Sequence, residues 1–412
     1  MDTVSAKDLA VTEVVVTPVA FPDPPLLNSV GVHQPWAIRT IVEVRTDSGL
    51  VGLGESYAND EFLASVRRAA PALVGLSPFD INGLESAVRT TLGLSSGQGL
   101  ARVVSPFEVA FWDLQGQATG LPVHALLGGK VRDEVPFSAY LFYKWAAHPG
   151  AEPDEWGEAL DADGMVRQAR MMVERYGFGS LKFKGGVFEP DVEIETARAL
   201  AAAFPDLPLR VDPNGAWTVP TSIRVGRALE GTLEYLEDPT LGRAGMAEVA
   251  REVSMPLATN MCTVAFDQIP ESVELGSVGV ILSDHHYWGG LRASAVLAGI
   301  CQTFGIGLSM HSNSHLGISL AAMTHLAAAT PNLTYACDTH TPWNPQDVVA
   351  ERWSITGGAV RVPDSPGLGI ALDRDALARL HEQYVKAGIT SRDDTGYMRQ
   401  FQPDFTAHKT IW

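Results

Sequence analysis

The chain has 412 residues, of which 46% are hydrophobic and 19% charged, and its net charge is −18. Such a composition can bury a large core, which argues against disorder, and the negative charge argues against nucleic acid or anionic membranes as partners. The first eight residues lack the basic-then-apolar order of a signal peptide. No apolar run approaches the about 20 residues of a membrane span. We expect a cytoplasmic homo-oligomer that binds neither nucleic acid nor membrane.

Residues 1–133 predict an α+β domain. Alternating strands, VTEVVVTPVA and TIVEVRTDSG, are followed by the turn SGLVGLGE and then by helical segments that run through EVAFWDLQGQATGLPVHALLGG. This region differs in rhythm from the rest of the chain. We expect it to form a capping domain.

From residue 134 onward, short apolar runs alternate with longer stretches of helical period, as in βαβ units around a parallel sheet. The eight runs are VPFSAYLFY, SLKFK, LPLRVD, LEYLED, PLATN, VGVILSD, IGLSMHS and LTYACDTH. Polar residues stand at the C-terminal ends of seven runs, at intervals of 23 to 29 residues: Lys184, Asp212, Glu237, Asn260, Asp284, His311 and His340. This spacing fits one strand and one helix per unit.

Eight such units predict a (β/α)8 barrel over residues 134–344, with its active site at the C-terminal ends of the strands. An open doubly wound sheet is the alternative. It would need a glycine-rich phosphate turn after its first strand, and neither GxGxxG nor GxxxxGK[ST] occurs there.

After residue 345 the regular alternation of predicted strands and helices ends. WSITGGAVRVPDSPGLGIAL indicates strand and turn, and RDALARLHEQYVKAG indicates a helix. We expect residues 345–412 to complete the barrel edge and to pack on the capping domain. The predicted fold class is α/β, a (β/α)8 TIM-type barrel with an α+β capping domain formed by the N-terminal region and the C-terminal segment.

Three consecutive strand ends carry oxygen ligands, Asp212, Glu237 and Asn260. Two carboxylates and an amide oxygen suit Mg²⁺, whereas zinc is disfavoured because no His or Cys shares this arc. Each residue alone has an ordinary explanation, since DPNG is a good turn and LEDP a strand exit. Their joint spacing predicts a magnesium site.

Candidate bases flank this arc. Lys182 and Lys184 are two residues apart on one strand, so both should point into the barrel, and we expect their mutual repulsion to lower the pKa of one ammonium until it serves as a neutral base. Asp284 and His311 end adjacent strands, where the carboxylate would orient the imidazole. A divalent metal between two bases is typical of a site that removes the proton next to a carboxylate and holds the enediolate on the cation.

With these residues in place, the chain resembles the mandelate racemase-like branch of the enolase superfamily, and within it the glucarate dehydratases. The segments that carry the resemblance are KFKGGVFEPDVEIE, VDPNGAW, YLEDP, PLATNM, MHSNSHLGISLA, DTH, VPDSPGLGI and SRDD. HSNSH, DTH and LLNSVGVH point to the acid-sugar dehydratases. SDHHYWGGLRAS departs from their pattern, and His285 and His286 within it have no predicted role.

The resemblance implies a Mg²⁺-dependent hydro-lyase that converts a six-carbon diacid sugar, D-glucarate and also L-idarate, to 5-dehydro-4-deoxy-D-glucarate. Lys184 is implied as one base with Lys182 as its electrostatic partner, and the Asp284–His311 dyad as the second base and the acid. Asn214 is implied as a catalytic residue. The implied substrate contacts are His33, Ser105, Tyr140, Lys182, Asn214, Ser312, His340 and Arg392, with Ser105 where we expect threonine.

Alternatives stay open at this point. The substrate could be galactarate, talarate or a mono-acid, the reaction could stop at epimerisation, or the chain could be an idle paralogue. His33 could instead cap a loop, and Arg392 could form an ordinary surface ion pair.

Overall fold

The structure, a computed structural model, describes residues 9–94 and 97–412, so the signal-peptide prediction for the first eight residues lies outside the described residues. The described N-terminal part contains a sheet of three antiparallel strands, in which the fourth strand of the chain pairs with the first and the fifth, a small two-stranded hairpin and four α-helices. Its strands are β1 (Val11–Pro22), β2 (Leu27–Asn28), β3 (Gly31–Val32), β4 (Trp36–Thr46) and β5 (Val51–Tyr57). Its helices are α1 (Asp60–Ala69), α2 (Ile81–Leu92), α3 (Gln98–Thr119) and α4 (Val123–Leu126).

The long helix α3 lies directly on the cap sheet. The approach is possible because β5 carries glycine where the two elements meet: a Cβ atom at Gly54 would lie 1.9 Å from the carbonyl oxygen of Pro106, and one at Gly52 would lie 2.2 Å from that of Ala110. The sequence VGLGE in β5 therefore sets how closely the helix packs on the sheet.

Eight parallel strands follow, which confirms the predicted barrel. They are β6 (Glu134–Phe142), β7 (Leu181–Lys184), β8 (Leu209–Asp212), β9 (Leu233–Glu237), β10 (Leu257–Thr259), β11 (Val280–Ser283), β12 (Gly307–Met310) and β13 (Cys337–Asp338). β6 to β12 pair in chain order, and β13 pairs with β6. Between β12 and β13, the amides of Thr334 and Tyr335 donate to the carbonyl oxygen of Leu308, at 2.9 and 3.1 Å. These bonds bring the two ends of the sheet together.

Helices connect the barrel strands and cover their outer faces. They are α5 (Ala162–Tyr176), α6 (Pro190–Ala203), α7 (Val219–Ala228), α8 (Arg243–Ala250), α9 (Ile269–Leu275), α10 (His285–Trp288), α11 (Leu291–Phe304) and α12 (Gly317–Ala329). Their ends follow local chemistry. In α5, for example, the Asp161 carboxylate accepts from the amide of Gly164 at the start, and Gly177 ends the helix in the left-handed conformation.

The last part of the chain contacts both the barrel and the cap. It contains β14 (Ala359–Arg361), α13 (Arg374–Ala387) and α14 (Asp394–Arg399). β14 pairs antiparallel with the first residues of β6. Helix α13 lies against β1, where Gln383 donates to the carbonyl oxygen of Ala20 at 2.8 Å.

None of the helices in the described ranges is both long enough and apolar enough to span a lipid bilayer. The cytoplasmic location and the homo-oligomer stay predictions.

A buried ion pair connects the cap sheet to the barrel. Arg39 Nε on β4 lies 2.8 Å from Glu55 Oε1 on β5, and both side chains are almost fully buried. The same carboxylate accepts from the amides of Leu316 and Ser319, at 2.9 and 2.8 Å, where α12 of the barrel begins. Glu55 therefore binds a cap cation and a barrel helix terminus together.

We expect Glu55→Ala to lower the free energy of unfolding by about 3–5 kcal/mol, because it leaves the Arg39 guanidinium buried without its counter-charge. Urea unfolding followed by circular dichroism measures this. Glu382→Ala is the control, since Glu382 pairs with Lys386 on the exposed surface of α13 and its loss should change little. Equal effects of the two substitutions would contradict the role given to Glu55.

Candidate active site

A cavity of about 600 Å³ opens at the C-terminal ends of the barrel strands. Its wall includes residues of the β2–β3 hairpin, the barrel loops and the start of α14. Nine of the predicted site residues line it: His33, Tyr140, Lys184, Asn214, Asn260, His311, Ser312, His340 and Arg392. Another cavity, of about 350 Å³ between α2, α3 and α10, contains none of them. The chemistry predicted from the sequence therefore converges on the larger cavity.

Four predicted residues lie behind this wall instead of in it. Lys182, Asp212, Glu237 and Asp284 are at most 2% exposed. Lys182 Nζ lies 4.6 Å from the centre of the Tyr140 ring, which lines the cavity. The other three also contact residues of the wall, as described below. Lys182 is not part of the cavity wall, so the structure brings it behind the cavity, and its substrate contact stays a prediction.

Ser105 is the predicted substrate contact that the structure does not bring to the cavity or to a residue described as lining it, and its role stays a prediction. Ser105 lies within α3, is completely buried, and is not part of the cavity wall. Its hydroxyl has no hydrogen-bond partner among the described residues. The helix packs on the cap sheet at the neighbouring Pro106, so this stretch of α3 is enclosed within the protein.

The two lysines of SLKFKGG are surrounded by carboxylates. Lys182 Nζ lies 2.6 Å from Glu237 Oε2, 2.7 Å from Asp338 Oδ2 and 3.7 Å from Asp212 Oδ2. Lys184 Nζ donates to Asp212 Oδ2 at 2.6 Å. The expected lowering by mutual repulsion is wrong for Lys182: burial disfavours its ammonium, but the charges of Asp338 and Glu237 outweigh burial and raise its pKa well above the usual value.

Asp338 is a residue that the sequence analysis missed. Its pairing with Lys182 joins positions 156 residues apart, on β13 and β7. The available signal was the motif DTH, in which only His340 was given a role.

The three predicted metal ligands lie on consecutive strand ends and fit a divalent cation. The side-chain Nδ2 of Asn260 lies 3.1 Å from Glu237 Oε1, and the backbone amide of Asn260 donates to Asp238 Oδ2 at 2.8 Å. Burial and the negative charge of Asp212 raise the pKa of Glu237 well above its usual range. Oxygen donors of this kind are the ligands that Mg²⁺ prefers. A divalent cation bound by them would offset the negative charges that crowd together here.

The Asp284–His311 pair has the geometry of a dyad. His311 Nδ1 lies 2.9 Å from Asp284 Oδ2, so His311 Nε2 is the nitrogen available to a ligand in the cavity. Burial alone would raise the pKa of Asp284, but the imidazoles of His286 and His311 outweigh it and lower that pKa well below the usual range. The carboxylate therefore stays ionised and orients the ring.

His286 is a second residue that the sequence analysis left without a role. Its Nδ1 lies 2.7 Å from Asp284 Oδ1, and its Nε2 lies 3.0 Å from Arg39 Nη2. Because a guanidinium only donates, His286 Nε2 accepts and Nδ1 donates to the carboxylate. Asp284, His285 and His286 could be mistaken for a metal site, since their ligand atoms lie within 4.8 Å of one another. The Arg39 charge opposes a cation there.

The far side of the cavity carries Arg392 and His33. Arg392 Nη1 lies 3.2 Å from Asp23 Oδ2, and its Nε lies 2.9 Å from Asp394 Oδ2. His33 Nδ1 lies 3.2 Å from the same Asp23 oxygen. Asp23 thus holds two potential cations next to one another at the wall.

The remaining predicted contacts lie between the lysines and this far side. Tyr140 donates to Asp212 Oδ2 at 3.3 Å, and Ser312 Oγ lies 3.3 Å from His340 Nδ1. Burial lowers the pKa of His340 well below its usual value, so its imidazole is neutral at pH 7. Asn214 has a left-handed backbone, with φ of 56°, and its amide donates to Asp212 Oδ1 at 2.9 Å.

Comparison with known proteins identifies the family. Residues 11–128 match the model of the mandelate racemase / muconate lactonizing enzyme N-terminal domain, and residues 164–376 match the enolase C-terminal domain-like model. A probable glucarate dehydratase of Streptomyces coelicolor is 53% identical, over 97% of this chain and 98% of its own length.

Two solved structures are similar over nearly the whole chain. An enolase from Mycobacterium smegmatis complexed with tartrate is 61% identical, with a TM-score of 0.97 over 99% of this chain and 100% of its own. An enolase from Thermobispora bispora complexed with magnesium and formate is 60% identical, with a TM-score of 0.96 over 98% of this chain and 100% of its own. The chain belongs to the mandelate racemase / muconate lactonizing enzyme family of the enolase superfamily.

Proposed function

We propose that this chain is an acid-sugar dehydratase, a hydro-lyase that converts D-glucarate, and also L-idarate, to 5-dehydro-4-deoxy-D-glucarate with Mg²⁺ as cofactor. The observation that carries the proposal is that Lys184 and the dyad histidine His311 line one cavity together with Asn260, one of three oxygen ligands on adjacent strand ends. The name of the 53% identical relative supports the same reaction class.

The metal would be held by Asp212, Glu237 and Asn260. When bound there, Mg²⁺ supplies the positive charge that makes the proton next to a substrate carboxylate acidic enough to remove. The Thermobispora relative solved with magnesium supports this cofactor.

The bases divide the proton transfers. Either the unprotonated amine of Lys184 or the unprotonated Nε2 of His311 takes the proton next to the carboxylate, according to the configuration at that carbon. The C–H electrons then form the new C=C bond as the neighbouring C–O bond breaks. His311 gives a proton to the departing hydroxyl, which leaves as water, and Asp284 stabilises the charged ring meanwhile. Where His311 is the base this is the proton it has just taken, and where Lys184 is the base His311 enters the reaction already protonated. The enol product becomes the keto acid by tautomerisation.

The distal end of the cavity favours a diacid. Arg392 can present its guanidinium to a second carboxylate, and His33 lies beside the same Asp23 anchor. The Mycobacterium relative was solved with tartrate, a small hydroxylated diacid. These features support a diacid over a mono-acid sugar.

Epimerisation is a second candidate, because one base could take the proton and the other return it on the opposite face. Two bases on one cavity are the observation that favours it. Galactarate and talarate are the alternative diacids for either reaction.

Incubation with a panel of acid sugars, with the keto-acid product detected by semicarbazide, tests the function. We expect turnover of D-glucarate with Mg²⁺, loss of turnover in EDTA, and recovery when Mg²⁺ is added back. Turnover that persists after the metal is removed would refute the metal role. Conversion of an acid sugar to its epimer without formation of keto acid would instead support the epimerase.

His311→Gln should abolish exchange with D₂O of the proton that faces the dyad, while exchange of the epimer through Lys184 continues, because glutamine cannot act as a base. Proton NMR of D-glucarate and L-idarate measures both exchanges. His381→Gln on α13, whose ring contacts the carbonyl oxygen of Pro18, is the control and should leave both unchanged. Equal loss of both exchanges in His311→Gln would be inconsistent with two separate bases.

Arg392→Ala should raise KM for D-glucarate by about 10- to 100-fold, since it removes a charge-assisted contact and leaves Asp23 and Asp394 to repel the second carboxylate. KM for the mono-acid D-gluconate should change far less. Steady-state kinetics give the ratio of KM for D-glucarate to KM for D-gluconate, both in Arg392→Ala and in the control Arg379→Ala at an exposed position of α13. An unchanged ratio of the two KM values would remove Arg392 from carboxylate binding.

A further inference from the structure

Backbone strain in the described chain converges on one loop beside the active site. The non-glycine residues with left-handed φ angles are Asn214 (56°), Asp238 (36°) and Thr410 (57°) among the described residues. All three meet at Gly215: it follows Asn214 directly, its amide donates to the carbonyl oxygen of Asp238 at 2.7 Å, and its carbonyl oxygen accepts from the amide of Thr410 at 2.9 Å. Such conformations persist where the surroundings enforce them, and they cluster at functional sites.

Thr410 belongs to a stretch, residues 404–412, that we call the docking segment. It binds the loop 213–218 by backbone hydrogen bonds, with the Ile411 amide donating to Ala216 at 2.9 Å and the Thr218 amide donating to Trp412 at 2.7 Å. A β-branched residue such as Thr410 is unfavourable in a left-handed conformation. The segment therefore docks in one specific conformation despite an energetic cost.

The docking segment also reaches the cap and a second barrel loop. The His408 amide donates to the carbonyl oxygen of Ser29 at 2.6 Å, in the turn between β2 and β3. His408 Nδ1 lies 3.1 Å from the carbonyl oxygen of Gly186, in the glycine pair that follows Lys184. One short segment thus contacts the cap hairpin and the loops after β7 and β8, all of which lie near the cavity.

Lys409 makes the contact nearest to the chemistry. Its Nζ donates to the carbonyl oxygen of Asn214 at 2.7 Å. The backbone amide of Asn214 in turn donates to Asp212 Oδ1 at 2.9 Å. Burial lowers the pKa of Lys409 to about 8, so the ammonium is still largely charged at pH 7. Lys409 is not part of the cavity wall, and its link to the site is the carbonyl oxygen of Asn214.

We propose that Lys409 is a positioning residue for the dehydration: its ammonium fixes the strained turn at Asn214, and through it the orientation of Asn214 and Asp212, while the docking segment couples that turn to the cap. The catalytic part of this inference rests on the proposed function. The structural part, that Lys409 holds loop 213–218, does not depend on the substrate.

The test compares Lys409→Met with Lys386→Met, the control, because Lys386 on α13 makes an exposed pair with Glu382. Methionine keeps the length of the side chain and removes the charge and the donors. We expect kcat of Lys409→Met to fall about 10- to 100-fold, the factor supported by one charge-assisted hydrogen bond, with a smaller change in KM. Lys409→Arg, which keeps a charged donor, should recover part of kcat, and Lys386→Met should match the parent.

Hydrogen exchange measured by mass spectrometry without substrate separates this inference from the proposed function. In Lys409→Met the amides of loop 213–218 should exchange about tenfold faster, while those of α13 keep their parental rates. Faster loop exchange together with no turnover of any acid sugar, even by the parent protein, would overturn the proposed function and retain the structural inference. Unchanged exchange and unchanged kcat in Lys409→Met would overturn the positioning role.

Thr410→Gly is the second variant, because glycine adopts the left-handed conformation without strain. It should keep the docking segment in place, the parental exchange of loop 213–218 and the parental kcat. A Lys409→Met protein that loses folding altogether, or that loses kcat only in proportion to its folded fraction, would mark Lys409 as a structural anchor and overturn its positioning role.

Discussion

The buried charges at the strand ends are the constraint on which the rest of the site depends. Two ammonium groups and three carboxylates, from Lys182, Lys184, Asp212, Glu237 and Asp338, meet where parallel strands end. Isolated charges this deeply buried would be very unfavourable, so each must have a partner in place. The barrel satisfies this requirement because its strands bring residues distant in sequence to one ring.

A second network makes the cap part of the same chemistry. Arg39 on β4 binds both Glu55 and the ring of His286, and His286 shares the Asp284 carboxylate with His311. The cap therefore fixes the tautomer of His286 and, through Asp284, the orientation of His311. Through this network the cap supports the His311 dyad, while the docking segment connects the cap hairpin to the loop that follows Lys184.

The sequence was sufficient for the parts of the structure that repeat. Regular alternation of apolar runs predicted the eight strands, and the polar residues at their ends include four that line the cavity, Lys184, Asn260, His311 and His340. The other five predicted residues in its wall came from the family resemblance. Prediction from the sequence failed where the pKa or the burial of a side chain depends on a partner far along the chain. The pKa of Lys182 follows from Asp338 on β13, and the burial of Ser105 follows from how closely α3 packs on glycines of β5. His286 lies in SDHHYWGGLRAS, the segment that departs from the acid-sugar dehydratase pattern, so the resemblance gave it no role. No motif marks Lys409, because its contact with Asn214 exists only once the fold has formed.

A crystal structure with Mg²⁺ and D-glucarate would test the arrangement of the site most directly. We expect the metal on Asp212, Glu237 and Asn260, with Lys184 and His311 on opposite faces of the substrate carbon next to the carboxylate. A metal held by Asp284 and His286, or both bases on one face of that carbon, would contradict the arrangement on which the proposed dehydration depends.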